Sequence, residues 1–380
     1  IGAWMQSLAQ AWLVLDLSNS PFYLGLDGFA ASIPLSVFAF WGGVIADRFN
    51  RRRLLLGTQV VFLGLALLLA VLTQFHRVRV WQIILLSFCT GVTQSIAWPV
   101  YQAVLGELVE RKNLSNAIAL NSAQFNFART IGPLIGALGL SFFGTAGCFY
   151  ANAVSFLAVI AALSFIQIQP KHLAVGSGFS GFWKDLTDGF RYMRGARALL
   201  WLLLTLAMTS LLGVPLVILL PVFARDILRI GVVGLGWLVG AFGTGAVLGG
   251  FRVAYLADFP RKGNYVLMSV LVFSLACIGF SVSHRLYFSL FCLVAAGYAM
   301  VSFTSVINTL VQTSVPDHLR GRAVSLFIFC FGGTMPFGNL LAGWMANHVG
   351  APRTLLIQGS LLGFYTAILY VIRPEIRDLS

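Results

Sequence analysis

The feature that most constrains this chain is a succession of apolar runs, each about as long as a bilayer is thick. A helix crossing the hydrocarbon core needs about 20 mainly apolar residues. Runs of that kind lie at 1–17, 22–45, 54–75, 80–103, 116–141, 147–167, 198–222, 232–255, 264–283, 286–310, 323–347 and 353–372. The joints between them are short and carry turn chemistry, as in Ser18-Asn19-Ser20-Pro21 and Gly144-Thr145-Ala146-Gly147. With 58% hydrophobic and only 10% charged residues, against about 25% charged in soluble domains, the chain lacks the polar surface to cover a soluble globule. Backbone polar groups inside lipid must be satisfied within the segment, and helices do this. The expected fold class is therefore an all-α membrane protein of twelve transmembrane helices. The first run begins at Ile1 without a Met and reads as a helix whose start is missing.

One connection is longer than the rest, and it divides the chain. Residues 1–168 form a first half of six helices, 169–197 a linker, 198–372 a second half of six helices, and 373–380 a tail. In the linker Phe182, Leu186, Phe190 and Met193 recur at helical spacing after Gly176-Ser177-Gly178. That pattern reads either as an amphipathic helix lying on the membrane surface or as a plain polar linker with one helical turn. Ile45-Ala46-Asp47-Arg48-Phe49-Asn50-Arg51 after the second run is echoed by Leu256-Ala257-Asp258-Phe259-Pro260-Arg261-Lys262 after the eighth. An internal repeat of this kind fits two pseudo-symmetric six-helix bundles with a substrate site near the bilayer midplane.

Basic residues set the expected orientation, because they concentrate in cytoplasmic loops. With the N-terminus in the cytoplasm, eighteen of the 25 Lys and Arg fall on the inner side and six on the outer, and Arg129 stays within a span. Both termini and the linker are then cytoplasmic. The formal charge of +13 lines a membrane face and makes no continuous patch for nucleic acid. The five cysteines all lie in apolar runs without metal spacing and read as packing residues.

The sharpest motif is Gly43-Val44-Ile45-Ala46-Asp47-Arg48-Phe49-Asn50-Arg51-Arg52. Gly43 lets a neighbouring helix approach, Asp47 suits a helix N-terminus, and the arginines suit anionic headgroups. This stretch resembles the signature of the major facilitator superfamily between helices 2 and 3. Asn50 stands where that family usually has Gly, and Asn tolerates the left-handed turn a Gly would make. The resemblance implies a cytoplasmic gate of Gly43, Asp47, Arg48, Arg51 and Arg52 with Asp258 from the echo. In it Asp47 would meet the helix after Pro316-Asp317-His318-Leu319-Arg320-Gly321-Arg322. That loop, Ala9-Gln10-Ala11-Trp12-Leu13-Val14-Leu15 and Asn121-Ser122-Ala123-Gln124-Phe125-Asn126 are similar to the branch holding the enterobactin exporter and the macrolide efflux proteins. Ala128-Arg129-Thr130-Ile131-Gly132-Pro133-Leu134-Ile135-Gly136-Ala137 is similar in part to the superfamily's antiporter signature, with Gly132, Pro133 and Gly136 matching and alanines replacing other glycines. It reads either as an export helix or as a Pro-kinked helix with small residues for packing. The fourth run lacks the membrane arginine that many drug/proton antiporters carry.

Two charges lie away from the ends of their spans. Arg129 lies near mid-bilayer, where an isolated charge is costly, so a cavity, a partner or a ligand must face it. Asn121, Gln124 and Ala128 lie along one face, with Arg129 beside them. The arginine reads equally as a ligand anchor bordering a central cavity and as a structural ion pair or helix-end cap. Asp27, about six residues into the second run, is either a proton acceptor or a group touching external water. Gln6 and Gln10 share a helix face, and with Gln94, Trp98 and Asn308 they can line a broad cavity or make interhelical hydrogen bonds.

No catalytic triad, metal cluster or cofactor motif is present; the glycines of the eighth run lack the strand and Lys-Ser/Thr of a phosphate loop. The expected function is proton-coupled efflux of a small amphipathic compound, drug-like or siderophore-like. The expected partners are that small-molecule substrate, protons and membrane lipids, and the place is the bacterial inner membrane. The rivals are an importer or facilitator of a polar nutrient in the same fold, and a non-transporting sensor or assembly protein.

Overall fold

The computed structural model describes residues 1–107, 109, 111–165, 197–256, 259–316 and 319–379, with backbone alone at 39, 40, 43, 44, 46–48, 106, 107, 111, 114, 115, 119, 122 and 126. The linker and its amphipathic segment therefore lie outside the described residues up to 196, as does Asp258.

The described chain is helical from end to end, as lipid demands. In order come α1 Gly2–Ser18, α2 Pro21–Arg48, α3 Arg51–Gln74, α4 Val80–Glu107 and α5 Leu114–Phe165. Then follow α6 Arg197–Leu212, α7 Leu216–Val222, α8 Gly231–Leu256, α9 Lys262–Ser281, α10 Leu286–Thr313, α11 Arg320–Gly332, α12 Met335–Val349, α13 Ala351–Ile372 and a short tail helix, α14 Pro374–Arg377. Ten stretches among the described residues are long and apolar enough to cross a membrane. The 17 residues of α1 stand at the lower limit of a full span.

The expected joint at 144–147 is tighter than a loop. The 52 residues of α5 would run about 78 Å if straight, far more than a core of about 30 Å. The turn is made at Gly144 alone, with φ 68° and ψ −178°, a conformation that only glycine adopts readily. Two other runs are interrupted rather than continuous. A single apolar stretch, 197–227, comprises α6, α7 and a π-helical turn at Phe223–Ile227, with Pro215 and Pro221 within it. The 320–349 stretch breaks between α11 and α12 just before Pro336, and the side chains of Ser210 and Thr334 donate to the carbonyls of Phe331 (2.5 Å) and Cys330 (2.7 Å) there. Side-chain donors of this kind satisfy the backbone that a helix break frees.

The helices gather in two units. The first comprises Ile1–Asn19 and the described part of Ala30–Phe182; the second comprises Ser20–Phe29 with the described residues after Trp183. The start of α2 thus groups with the second unit.

Between helices in lipid there is no hydrophobic drive, so small residues that let backbones touch decide which helices pair. In the second unit Gly245 and Gly249 of α8 lie against the backbone of Val294 and Tyr298 in α10, and Gly297 of α10 lies against Phe242 of α8. Phe273 of α9 and Phe303 of α10, both fully buried, meet edge to face at 5.9 Å. The Ser274 hydroxyl of α9 donates to the Gly359 carbonyl of α13 at 2.6 Å.

Candidate functional site

In the first unit the seam between α1 and α5 is drawn tight by the glycines of the antiporter-like stretch. A Cβ at Gly132 would fall 2.6 Å from Trp4 Cβ, and one at Gly136 would fall 2.9 Å from Met5 Cα. Pro133 within α5 supplies no N–H to the carbonyl of Arg129, one turn earlier. Both glycines therefore have a packing task in this structure, and its result is to press α1 against the turn of α5 that carries the polar residues. On the same turns of α1 Asn152 donates to Gln6 Oε1 at 2.6 Å, while one turn further on Gln10 donates to the Ser87 hydroxyl of α4 at 2.7 Å. Gln6 and Gln10 are engaged in these interhelical bonds.

Helix α4 completes the site. Pro99 withholds an N–H from the Ser95 carbonyl, and Gly42 of α2 faces that same carbonyl, so α2 and α4 touch where α4 is interrupted. Gly91 of α4 faces Ala31 and Pro34 of α2 in the same way. Gly42 and Gly91 thus make this contact; the close approach expected at Gly43 lies outside what is described, since only its backbone is.

On the other side of α4, Trp98 stands 6.3 Å from Tyr101 and 6.3 Å from Phe125 of α5, and Phe125 stands 6.2 Å from Trp4 of α1. The last two pairs are edge-to-face, the arrangement the ring quadrupoles favour. The Tyr101 hydroxyl donates to Asn121 Oδ1, tying α4 to α5. Trp98 is 42% and Phe125 43% exposed. Gln124 beside them is exposed, and Gln94, Asn121 and Arg129 are half-buried. This face thus combines the polar Gln94, Gln124 and Arg129 with half-open Trp and Phe rings. Arg129 sits about 23 Å along α5 from Leu114, near the middle of the leg that ends at Gly144. It is engaged with neighbouring groups. The sequence reading named Trp98, Asn121, Gln124 and Arg129 but gave Trp4 and Phe125 no role. The signal that could have found them is the pair of glycines spaced to seat Trp4 on α5.

The gate motif is described in part. Gly43, Asp47 and Arg48 close α2 with backbone alone described, so the expected meeting of Asp47 with the start of α11 lies outside the described residues. Asn50 departs from expectation: its φ is −60°, and it caps α3 by accepting the backbone N–H of Arg53 at 3.1 Å. A side-chain acceptor at the N-cap satisfies a donor that glycine would leave free, which explains an Asn here without a left-handed turn. Arg52 donates to the carbonyls of Leu163 (3.2 Å) and Ser164 (2.5 Å). It thereby covers the C-terminal end of α5, where a cation complements the helix dipole. Arg51 is half-buried and engaged.

Asp27 and Asn308 lie in the second unit. Asp27 is half-buried on the turns of α2 whose Gly25 and Gly28 lie against Asn339 of α12, and it too is engaged. Gly25 and Gly343 face each other across that seam, Ser20 donates to Asn347 Oδ1 at 2.7 Å, and Phe29 meets Phe337 at 6.0 Å. Asn339 is buried with no hydrogen-bond partner for its Oδ1. Asn308 accepts from Gln312 at 3.0 Å within α10, and the Gln312 carbonyl accepts from Arg320 of α11 at 3.1 Å. Among the described residues no three His, Cys, Asp or Glu side chains group as metal ligands.

Comparison with known proteins agrees with this architecture. Residues 1–379 match the family described as a transmembrane secretion effector. The chain is 25% identical to the Staphyloferrin A transporter of Staphylococcus aureus, over 99% of this chain and 94% of that one. It is 27% identical to the enterobactin exporter EntS of Shigella flexneri, over 94% of this chain and 83% of that one. The crystal structure of a D-xylose-proton symporter superposes with a TM-score of 0.75 at 15% identity, covering 99% of this chain and 95% of the other, which establishes a common fold. The chain belongs to the transmembrane secretion effector family of the major facilitator superfamily, a family of transporters and not of enzymes.

Proposed function

We propose that the chain exports a small amphipathic compound, drug-like or siderophore-like, from a bacterial cell by proton-driven alternating access. In this reading it crosses the inner membrane twelve times. It has halves at 1–168 and 198–372, a linker at 169–197, a tail at 373–380, and both termini in the cytoplasm. The observation that carries the reading is the partly exposed face of α1, α4 and α5. Its rings (Trp4, Trp98, Tyr101, Phe125) suit the apolar part of a ligand, and Asn121, Gln124 and Arg129 suit the polar part. The 27% identity to an enterobactin exporter supports outward direction. Ligand binding shifts the balance of inward- and outward-open states only through contacts that differ between them, and Gly43, Asp47, Arg48, Arg51, Arg52 and Asp258 are the proposed cytoplasmic gate. Gly132, Pro133 and Gly136 shape the export helix, and Asp27 is the proposed proton-binding carboxylate.

The test is efflux from proteoliposomes with an imposed pH gradient, screened over amphipathic fluorescent dyes and metal-free siderophores. A transported compound should bind roughly tenfold more weakly to Trp98→Ala, the loss of about one buried aromatic contact. Unchanged binding removes the aromatic face from the substrate path. Transport that survives collapse of the proton gradient overturns the coupling.

A further inference from the structure

At the end of α3 remote from Arg51 the chain turns back into α4 through Phe75-His76-Arg77-Val78-Arg79. The turn is built rather than loose. His76 takes a left-handed conformation (φ 53°), the Arg77 N–H reaches back to the Leu72 carbonyl at 2.9 Å, and the His76 N–H reaches the Thr73 carbonyl at 3.1 Å. This is the six-to-one closure of a helix end. On the other side the Arg79 N–H is held by Gln82 Oε1 at 2.8 Å, as in a capping box that starts α4. The result is an open surface depression lined by Leu72, His76, Arg77, Val78, Arg79 and Gln82.

Three of those six side chains are basic, and none is acidic. From Arg51 to Gly106 the sequence contains no Asp or Glu. Among the described residues neither Arg77 nor Arg79 makes a salt bridge. The counter-charge is therefore not supplied from within this helical hairpin. On either side of the depression stand exposed rings, Phe75 at 68% and Trp81 at 59%. Aromatic side chains at a helix end in this position sit at headgroup level in a bilayer.

We propose that this turn binds the phosphodiester headgroup of an anionic phospholipid, in the leaflet opposite the Arg51 end of α3. Guanidinium groups fit phosphate oxygens with paired, charge-assisted hydrogen bonds. Leu72 provides an apolar floor next to the ring-flanked membrane boundary. The site is separate from the aromatic face on α1, α4 and α5, and it does not depend on the identity of the transported compound.

The test is native mass spectrometry of the purified full chain released from nanodiscs of phosphatidylglycerol and phosphatidylethanolamine in equal amounts. The parent should retain phosphatidylglycerol selectively. The Arg77→Gln/Arg79→Gln double variant should bind it about 25-fold more weakly, at about fivefold per arginine next to an anionic surface. Arg77→Lys/Arg79→Lys should fall between the two. If the double variant does not purify as a monodisperse species, Arg79→Gln alone should show the fivefold loss. Equal retention of phosphatidylglycerol by parent and variant overturns the proposal. Displacement of the lipid by millimolar inorganic phosphate also overturns it, by showing a site for a soluble anion.

Discussion

Gly136→Ala isolates what the glycines of α5 do. A Cβ there would lie 2.9 Å from Met5 Cα, whereas carbon atoms pack at about 3.5–4.0 Å. The neighbour is backbone, which cannot swing aside, so α1 must move out by about 0.6–1.1 Å. Overpacking of this size costs about 1–3 kcal/mol. In a cooperative unit the size of one half, that lowers Tm by roughly 2–10 °C. Gly139→Ala on the same helix is the control, because its Cβ would meet nothing closer than Cys148 Sγ at 3.5 Å, and Ala favours the helix by up to about 1 kcal/mol. The assay is thermal unfolding in mild detergent of the parent and both variants, followed by efflux from proteoliposomes at equal protein. The expected order of stability is Gly139→Ala at or above the parent, with Gly136→Ala below both. Equal melting of the two variants would refute the close-contact argument. If Gly136→Ala melts low yet transports at the parental rate, the glycine serves packing alone and the export reading of this stretch falls.

Arg129→Ala should lose transport by far more than it loses protein in the membrane, since an arginine at mid-span costs at least about 2.5 kcal/mol to insert and must be offset there; Arg129→Lys should rescue poorly, and full efflux by Arg129→Ala refutes the assignment. Gly343→Val should push α12 away from Gly25, whose Cα lies 2.7 Å from where a Cβ would start, and so lower Tm, while Gly321→Val, with nothing within 4 Å, should leave it nearly unchanged. Asp47→Asn should impair efflux with protein level and ligand binding close to parental, and unimpaired whole-cell efflux removes Asp47 from the gate. For topology, an impermeant thiol reagent applied outside should label His284→Cys and spare Ser177→Cys in a chain free of other cysteines; the reverse pattern inverts every loop assignment. His284 serves better than its neighbour Ser283, which is buried and bonded to Ser289 at 2.7 Å.

The sequence by itself determined the solvent, the kind of element and the family. Twenty-residue apolar runs and a dearth of charge admit only helices in lipid, and the stretch from Gly43 to Arg52 pointed to the superfamily. It also marked Trp98, Asn121, Gln124 and Arg129, because a polar group within a span stands out against an apolar background. Which residues those groups meet was decided by tertiary structure alone. The periodicity of α5 does not say that Gly132 faces Trp4, that Asn121 receives the Tyr101 hydroxyl, or that Gln6 and Gln10 are bonded to Asn152 and Ser87. The reason is that helices in lipid pair through shape and scattered hydrogen bonds and not through burial of an apolar stripe. Hydropathy therefore shows where each helix runs and is silent about which face meets which neighbour. The same holds at the ends of helices. Whether Asn50 makes a left-handed turn or an N-cap, and whether Arg52 reaches headgroups or the carbonyls that end α5, depends on which orphaned backbone groups the fold places within reach.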